Sequence, residues 1–165
     1  MEHKRSDFEI MAPVGSYESL MAAIEAGANS VYFGIENLNM RSRSASNFTT
    51  DDLREIVKIC KENNIKSYLT VNTVIYNDDL DMMRKIIDTA KEVEVSAIIA
   101  ADVAAMLYAY KIGVEVHLST QLNIANVDAL KFYSQYADVV VLARDLNLDQ
   151  VSAIWKQIKE ENIKG

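Results

Sequence analysis

Val114-Glu-Val-His-Leu-Ser-Thr-Gln-Leu-Asn123 has the pattern that decides the fold. Side chains alternate across a strand, so Val114, Val116 and Leu118 form one row and Glu115, His117 and Ser119 the other. The apolar row suits a packed helix layer. The polar row ends in Ser119, Thr120, Gln121 and Asn123, an unusually polar run at the end of a buried strand. Polar residues at the C-terminal end of a strand between helices mark the position where parallel β/α barrels build their sites.

The same alternation extends in both directions. Strands are expected over Phe8–Ala12, Ser30–Gly34, Lys66–Asn72, Ser96–Ala100, Glu115–Ser119 and Asp138–Ala143. Helical periodicity fills Ser16–Ala26, Thr50–Asn63, Asp78–Val93, Asp102–Lys111, Asn126–Gln135 and Asn147–Glu161. Capping side chains stand at the starts (Ser16, Thr50, Asp78, Asn147), and Gly27, Asn63-Asn64 and Gly113 stand at the stops. Periodicity alone allows either a doubly wound sheet or a closed barrel. There is no glycine-rich dinucleotide loop after the first strand, and polar residues recur at nearly every strand end. The expected class is therefore α/β, a parallel (β/α) TIM-type barrel of which about six βα units are present. Such a chain stops two units short of closure, and its open edges invite self-association. Residues 1–165 are accordingly expected to be the N-terminal part of a barrel domain in a longer polypeptide.

Composition narrows the function classes. Half the residues are hydrophobic and the formal charge is -7. No run approaches the roughly 20 apolar residues of a membrane span, and the charged N-terminus is unlike a signal peptide, so a cytoplasmic protein with no membrane partner is expected. The acidic balance argues against broad electrostatic nucleic-acid binding by this segment. With one cysteine, Cys60, and two histidines, His3 and His117, no metal site or cofactor is expected within the chain.

The candidate site residues sit at the strand ends. In the third strand Tyr68, Thr70 and Asn72 should face the barrel interior, opposite Leu69 and Val71. His117 could be a satisfied lumen histidine or a ligand contact; its polar neighbours Ser119, Thr120, Gln121 and Asn123 bring the second reading level with the first. Arg144 inside a barrel needs an anion, or else an ion pair with Asp145. The long loop after the second strand carries Asn39, Arg41 and Arg43, which could clamp a carboxylate or phosphate or simply be solvated. Hydrolytic machinery is not evident, because residues two apart on a strand are about 7 Å apart, too far for a direct bond between Ser119 and His117. Cys60, among Ile56, Val57 and Ile59, is expected to be an inert core thiol.

Six stretches together resemble the collagenase-like U-thirty-two peptidase family: Met11-Ala-Pro-Val-Gly-Ser16, Ala23-Ile-Glu-Ala-Gly-Ala28, Val31-Tyr-Phe-Gly34, Asn39-Met-Arg41 with Asn47-Phe48, His117-Leu-Ser-Thr-Gln-Leu-Asn123, and Leu142-Ala-Arg-Asp-Leu146. The resemblance implies a barrel and, downstream of this segment, cysteines holding an iron-sulfur cluster in the full-length protein. It also implies oxygen-independent hydroxylation of a tRNA or rRNA base, or of a quinone precursor, with a prephenate-like hydroxyl donor in the RNA branch. Peptidase or collagenase activity is the rival implication. A non-catalytic scaffold that binds a small anion is the third. On the first, His117 and Arg144 would be catalytic, and Asn39, Arg41, Arg43, Asn72, Ser119, Gln121 and Asn123 would bind a small carboxylate ligand.

Overall fold

A computed structural model describes residues 4–38 and 48–164. Six strands alternate with six helices: β1 (Met11–Pro13), α1 (Tyr17–Glu25), β2 (Ser30–Gly34), α2 (Thr50–Glu62), β3 (Lys66–Val71), α3 (Leu80–Glu92), β4 (Ala97–Ala100), α4 (Val103–Ile112), β5 (Val116–Leu118), α5 (Val127–Tyr133), β6 (Val139–Val140) and α6 (Leu148–Glu160). The strands run β1-β2-β3-β4-β5-β6, each parallel to the next. A doubly wound sheet reverses its strand order at a switch point. An order that never reverses, with crossovers of one hand, sends every helix to the same face. The sheet curls into a half-barrel with β1 and β6 as its edges, and Pro13, which has no N–H to donate, stands on edge strand β1.

Local chemistry sets most helix boundaries. Ser16, Asp102, Asn126 and Asn147 each accept a backbone N–H of the first turn, at 3.2, 2.8, 2.9 and 2.9 Å. The second helix is capped by Thr49 rather than Thr50: its hydroxyl accepts from Asp52 N at 3.2 Å, and the Asp52 carboxylate accepts the Thr49 N–H at 2.8 Å. A short 3-10 turn, Asn77–Asp79, delays α3 to Leu80. Gly27 and Gly113 have φ of +78° and +76°, as expected of left-handed caps. Asn64, Glu94 and Asn162 take the same conformation after α2, α3 and α6.

The first and sixth strands differ from expectation. β1 begins at Met11 because the Ile10 carbonyl accepts the Asn29 and Ser30 N–H groups and the Asn29 side chain accepts the Ile10 N–H. Only Val139 and Val140 form β6. Before them the Asp138 carboxylate accepts the Val116 N–H at 3.0 Å, and after them Ala143 N donates to Ile124 O at 2.8 Å. At the start the Asp138 side chain thus accepts beside the backbone bond from Asp138 N to Val116 O, and past the end a loop carbonyl takes the Ala143 N–H.

The core lies between sheet and helices. Val31, Phe33, Leu69, Val71, Ile98, Val116 and Leu118 pack against Leu20, Leu53, Ile56, Met83, Ile87, Met106 and Ile154, all essentially buried. Cys60 of α2 belongs to this layer, and burial pushes its thiol up to about 11. Peptide mapping after treatment with a thiol reagent at neutral pH should find Cys60 unmodified in the native protein and modified on unfolding; full labelling of the native protein would show the layer to be open. No helix among the described residues is long and apolar enough to cross a membrane.

Candidate functional site

The concave face of the half-barrel holds a cavity of about 410 Å³ at the C-terminal ends of the strands. That volume is within the range of small-molecule sites. The row facing away from the helices builds it: Met11 and Tyr32 from β1 and β2, Thr70 and Asn72 at the end of β3, Ile99 from β4, His117 and Ser119 at the end of β5, and Val141 after β6. Thr120 and Gln121, in a 3-10 turn that begins directly after Ser119, close the rim. Four of the anticipated residues, Asn72, His117, Ser119 and Gln121, therefore share one cavity.

The others do not join them. Asn123 has φ +48° and donates its backbone N–H to Thr120 O, so it shapes the turn and does not line the cavity. Arg144, expected inside the barrel, lies exposed in the turn beyond β6. Its row is that of Val140 and Leu142, which pack toward the helices, while Val141 faces the lumen. No ion pair with Asp145 forms among the described residues. Asn39, Arg41 and Arg43 lie outside the described residues. The ends of their loop are placed: Ile35 bridges Phe48 in parallel, and the Glu36 N–H donates to Phe48 O at 2.8 Å. Phe48 is buried edge-on to Tyr17 and Phe33, so the loop leaves and returns beside the C-terminal end of β2.

Hydrogen bonds define what the lining can offer. Thr70 Oγ1 donates to Phe33 O at 3.0 Å, which leaves its lone pairs to the cavity. Ser119 Oγ accepts the Gln121 N–H at 3.4 Å. His117 is bonded through Nε2 to Glu115, 2.8 Å away, and not to Ser119. No nucleophile-base pair stands in the cavity among the described residues, and no group of three or more His, Cys, Asp or Glu there could hold a metal ion.

A polar network missed by the sequence reading lies below. Tyr68 is buried, its ring centroid 4.8 Å from that of His117, and its hydroxyl donates to Glu9 at 2.7 Å. Lys66 donates to the other Glu9 oxygen at 2.7 Å. Burial works against the Glu9 charge, but the bonds from Lys66 and Tyr68 prevail and hold its carboxyl below the usual range. Burial first, and then the bond to Glu9, raises the Tyr68 phenol well above its ordinary value. The available signal was the lumen row itself, since Lys66 and Tyr68 are two apart on β3, but nothing local links them to Glu9.

Comparison with known proteins places these features in a family. The family model described as Peptidase family U32 matches residues 15–163. A protein of Porphyromonas gingivalis named collagenase is 69% identical over 160 residues, which are 97% of this chain and 39% of that protein. The tRNA hydroxylation protein P of Helicobacter pylori (strain 26695) is 33% identical over 153 residues, 91% of this chain and 36% of that protein. The chain thus spans well under half the length of either relative. The solved structure of a U32 peptidase superposes with a TM-score of 0.72 at 17% identity, covering 94% of this chain and 67% of that one, which shows the shared fold.

Proposed function

The chain belongs to peptidase family U32, and from that premise we propose that its lumen cavity holds a small, oxygen-rich carboxylate, prephenate-like in character, in support of oxygen-independent hydroxylation of a tRNA or rRNA base. The observation that carries this reading is the cavity itself: in a lining that is otherwise largely apolar, Asn72, His117, Ser119, Gln121 and the Thr70 lone pairs form a wall of hydrogen-bonding groups, without a nucleophile-base pair among the described residues. Such a wall recognises hydroxyl and carbonyl oxygens. The resemblance to a protein named for tRNA hydroxylation supports it.

The chain's residues do not fit an iron-sulfur cluster. Its single cysteine is sealed in α2, so any cluster of the longer protein takes its ligands from outside these residues. This segment's part is to bind and orient. Arg144, exposed in the turn beyond β6, is the cation among the described residues that this reading assigns to the carboxylate.

Peptidase action is the second reading, favoured by the collagenase-named relative. Mass spectrometry of nucleosides from a deletion strain separates the two: loss of a hydroxylated nucleoside is expected, and an unchanged profile would sink the hydroxylation reading. Cleavage of denatured collagen by the purified full-length protein would support the rival. Re-expression of Arg144→Ala should lower the modification about tenfold, the loss of one charge-assisted bond. Its unfolding midpoint should stay near that of wild type, because the side chain is exposed and makes no ion pair among the described residues. A collapse of folding would instead make Arg144 structural.

A further inference from the structure

The proposed function does not use Glu115, yet Glu115 decides what His117 can present. Its Oε1 lies 2.8 Å from His117 Nε2. Its side chain is 51% exposed and that of His117 is 9% exposed, so the pair links the cavity wall to solvent on the far side of the ring. Tyr68 lies against the imidazole, tilted at 47°, and is itself anchored to Glu9. The ring is therefore fixed on one face and at one nitrogen.

A carboxylate at neutral pH offers only acceptors, so the proton between Glu115 and a neutral imidazole belongs to Nε2, and Nδ1 carries the lone pair. The two ring nitrogens point in widely different directions, which keeps Nδ1 away from Glu115. Nδ1 has no partner among the described residues. It is also not sealed: Ser30 Oγ is the one side-chain nitrogen or oxygen among them that is both buried and unpartnered. His117 lines the cavity, and with Nε2 held by Glu115 the ring nitrogen left to a ligand there is Nδ1. Nearby, the Thr70 hydroxyl proton is spent on Phe33 O, leaving another acceptor in the same wall. Two acceptors facing inward repel a carboxylate and receive an O–H group.

We infer that Glu115 is a positioning residue that holds His117 as the Nε2–H tautomer, so that Nδ1 accepts a hydrogen bond from the hydroxyl of a small hydroxy-carboxylate whose charged end lies at the rim. The inference rests on the cavity being a ligand site and sets the ligand's orientation: hydroxyl inward toward His117 and Thr70, carboxylate outward past Gln121.

Two measurements on the full-length protein test it. Nitrogen-15 NMR of histidine-labelled protein, with the signal assigned by its loss in His117→Asn, should show the Nε2–H form of His117. In Glu115→Ala it should show a mixture of tautomers, while the unfolding midpoint is unchanged because Glu115 is half exposed. An Nδ1–H form in wild type, or a tautomer indifferent to Glu115→Ala, overturns the inference. For the ligand, 4-hydroxycyclohexanecarboxylate should bind roughly two- to tenfold more tightly than cyclohexanecarboxylate, as one net hydrogen bond allows. Glu115→Ala and His117→Asn should erase that preference. Equal binding of the two probes to wild type, or binding of neither, also overturns it. Neither measurement involves RNA, so a correct tautomer and an intact preference sustain the inference even if the deletion strain keeps its nucleosides.

Discussion

Leu69→Ala is expected to lower the unfolding free energy of the protein by roughly 2–5 kcal/mol, which denaturant titration would read directly. Leu69 sits near the centre of β3, fully buried, with Phe33 and Ile98 as register partners on the flanking strands. Both partners are buried, and the strands that carry them are held by ladders on both sides. Helices cover the face into which Leu69 points, so no neighbouring backbone can move in to fill the space of the lost atoms. Leu69→Met, which keeps volume, should cost less than about 1.5 kcal/mol. Val139, 40% exposed on edge strand β6, provides the contrast: truncating it to Ala should change stability by roughly 0.5 kcal/mol at most. A loss below about 1 kcal/mol for Leu69→Ala would mean that the layer between sheet and helices is not close-packed.

Glu9→Ala should cost about 1–3 kcal/mol, more than Tyr68→Phe at about 1 kcal/mol. The asymmetry follows from what each change leaves behind. Without Glu9, the Tyr68 hydroxyl, on a residue only 2% exposed, loses its acceptor within the lumen floor. Without the hydroxyl, Glu9 keeps Lys66 and reaches water. A pH dependence accompanies it. The Glu9 carboxyl is held below its ordinary value, so its stabilisation is complete above the unfolded-state value and is lost as pH falls through the lower, folded-state one. The gap between wild type and Glu9→Ala should therefore narrow as pH drops below about 4. Equal costs for the two variants, or a gap that does not vary with pH, would show that the network contributes nothing beyond packing.

Features set by neighbours in the chain were legible without coordinates. Ser16 and Asn147 cap helices because each needs only an N–H three residues ahead, and Gly27 and Gly113 end helices because a left-handed residue is a local demand. Thr49 took the cap expected of Thr50 because two adjacent hydroxyls offer the same chemistry, and only the Asp52 carboxylate, reaching back to the Thr49 N–H, separates them. The period-two rows of the third and fifth strands correctly put Thr70, Asn72, His117 and Ser119 on the face away from the helices, since alternation follows from the pleat itself.

The sequence by itself thus determined the alternation of parallel strands and helices, the helix termini and the polar row that became the cavity wall. The missing dinucleotide loop and the recurring polar strand ends already pointed to a barrel rather than a doubly wound sheet, and the unbroken strand order of the tertiary structure bears that out as a curled half-barrel. Tertiary structure alone decided how short β6 is, because the Ile124 carbonyl takes the Ala143 N–H past its end. Arg144 and Asn123 stand outside the cavity for two reasons: Arg144 follows the row of Val140 and Leu142, which packs toward the helices, and Asn123 lies past the end of β5 in a left-handed turn, where strand alternation has ended. The pairing of His117 with Glu115 rather than Ser119, and of Tyr68 with Glu9, depends on which way a ring turns when strands distant in sequence pack together. Residue spacing disfavoured the short Ser119 side chain but could not say that the longer Glu115 would reach the ring; close packing of the lumen decides that.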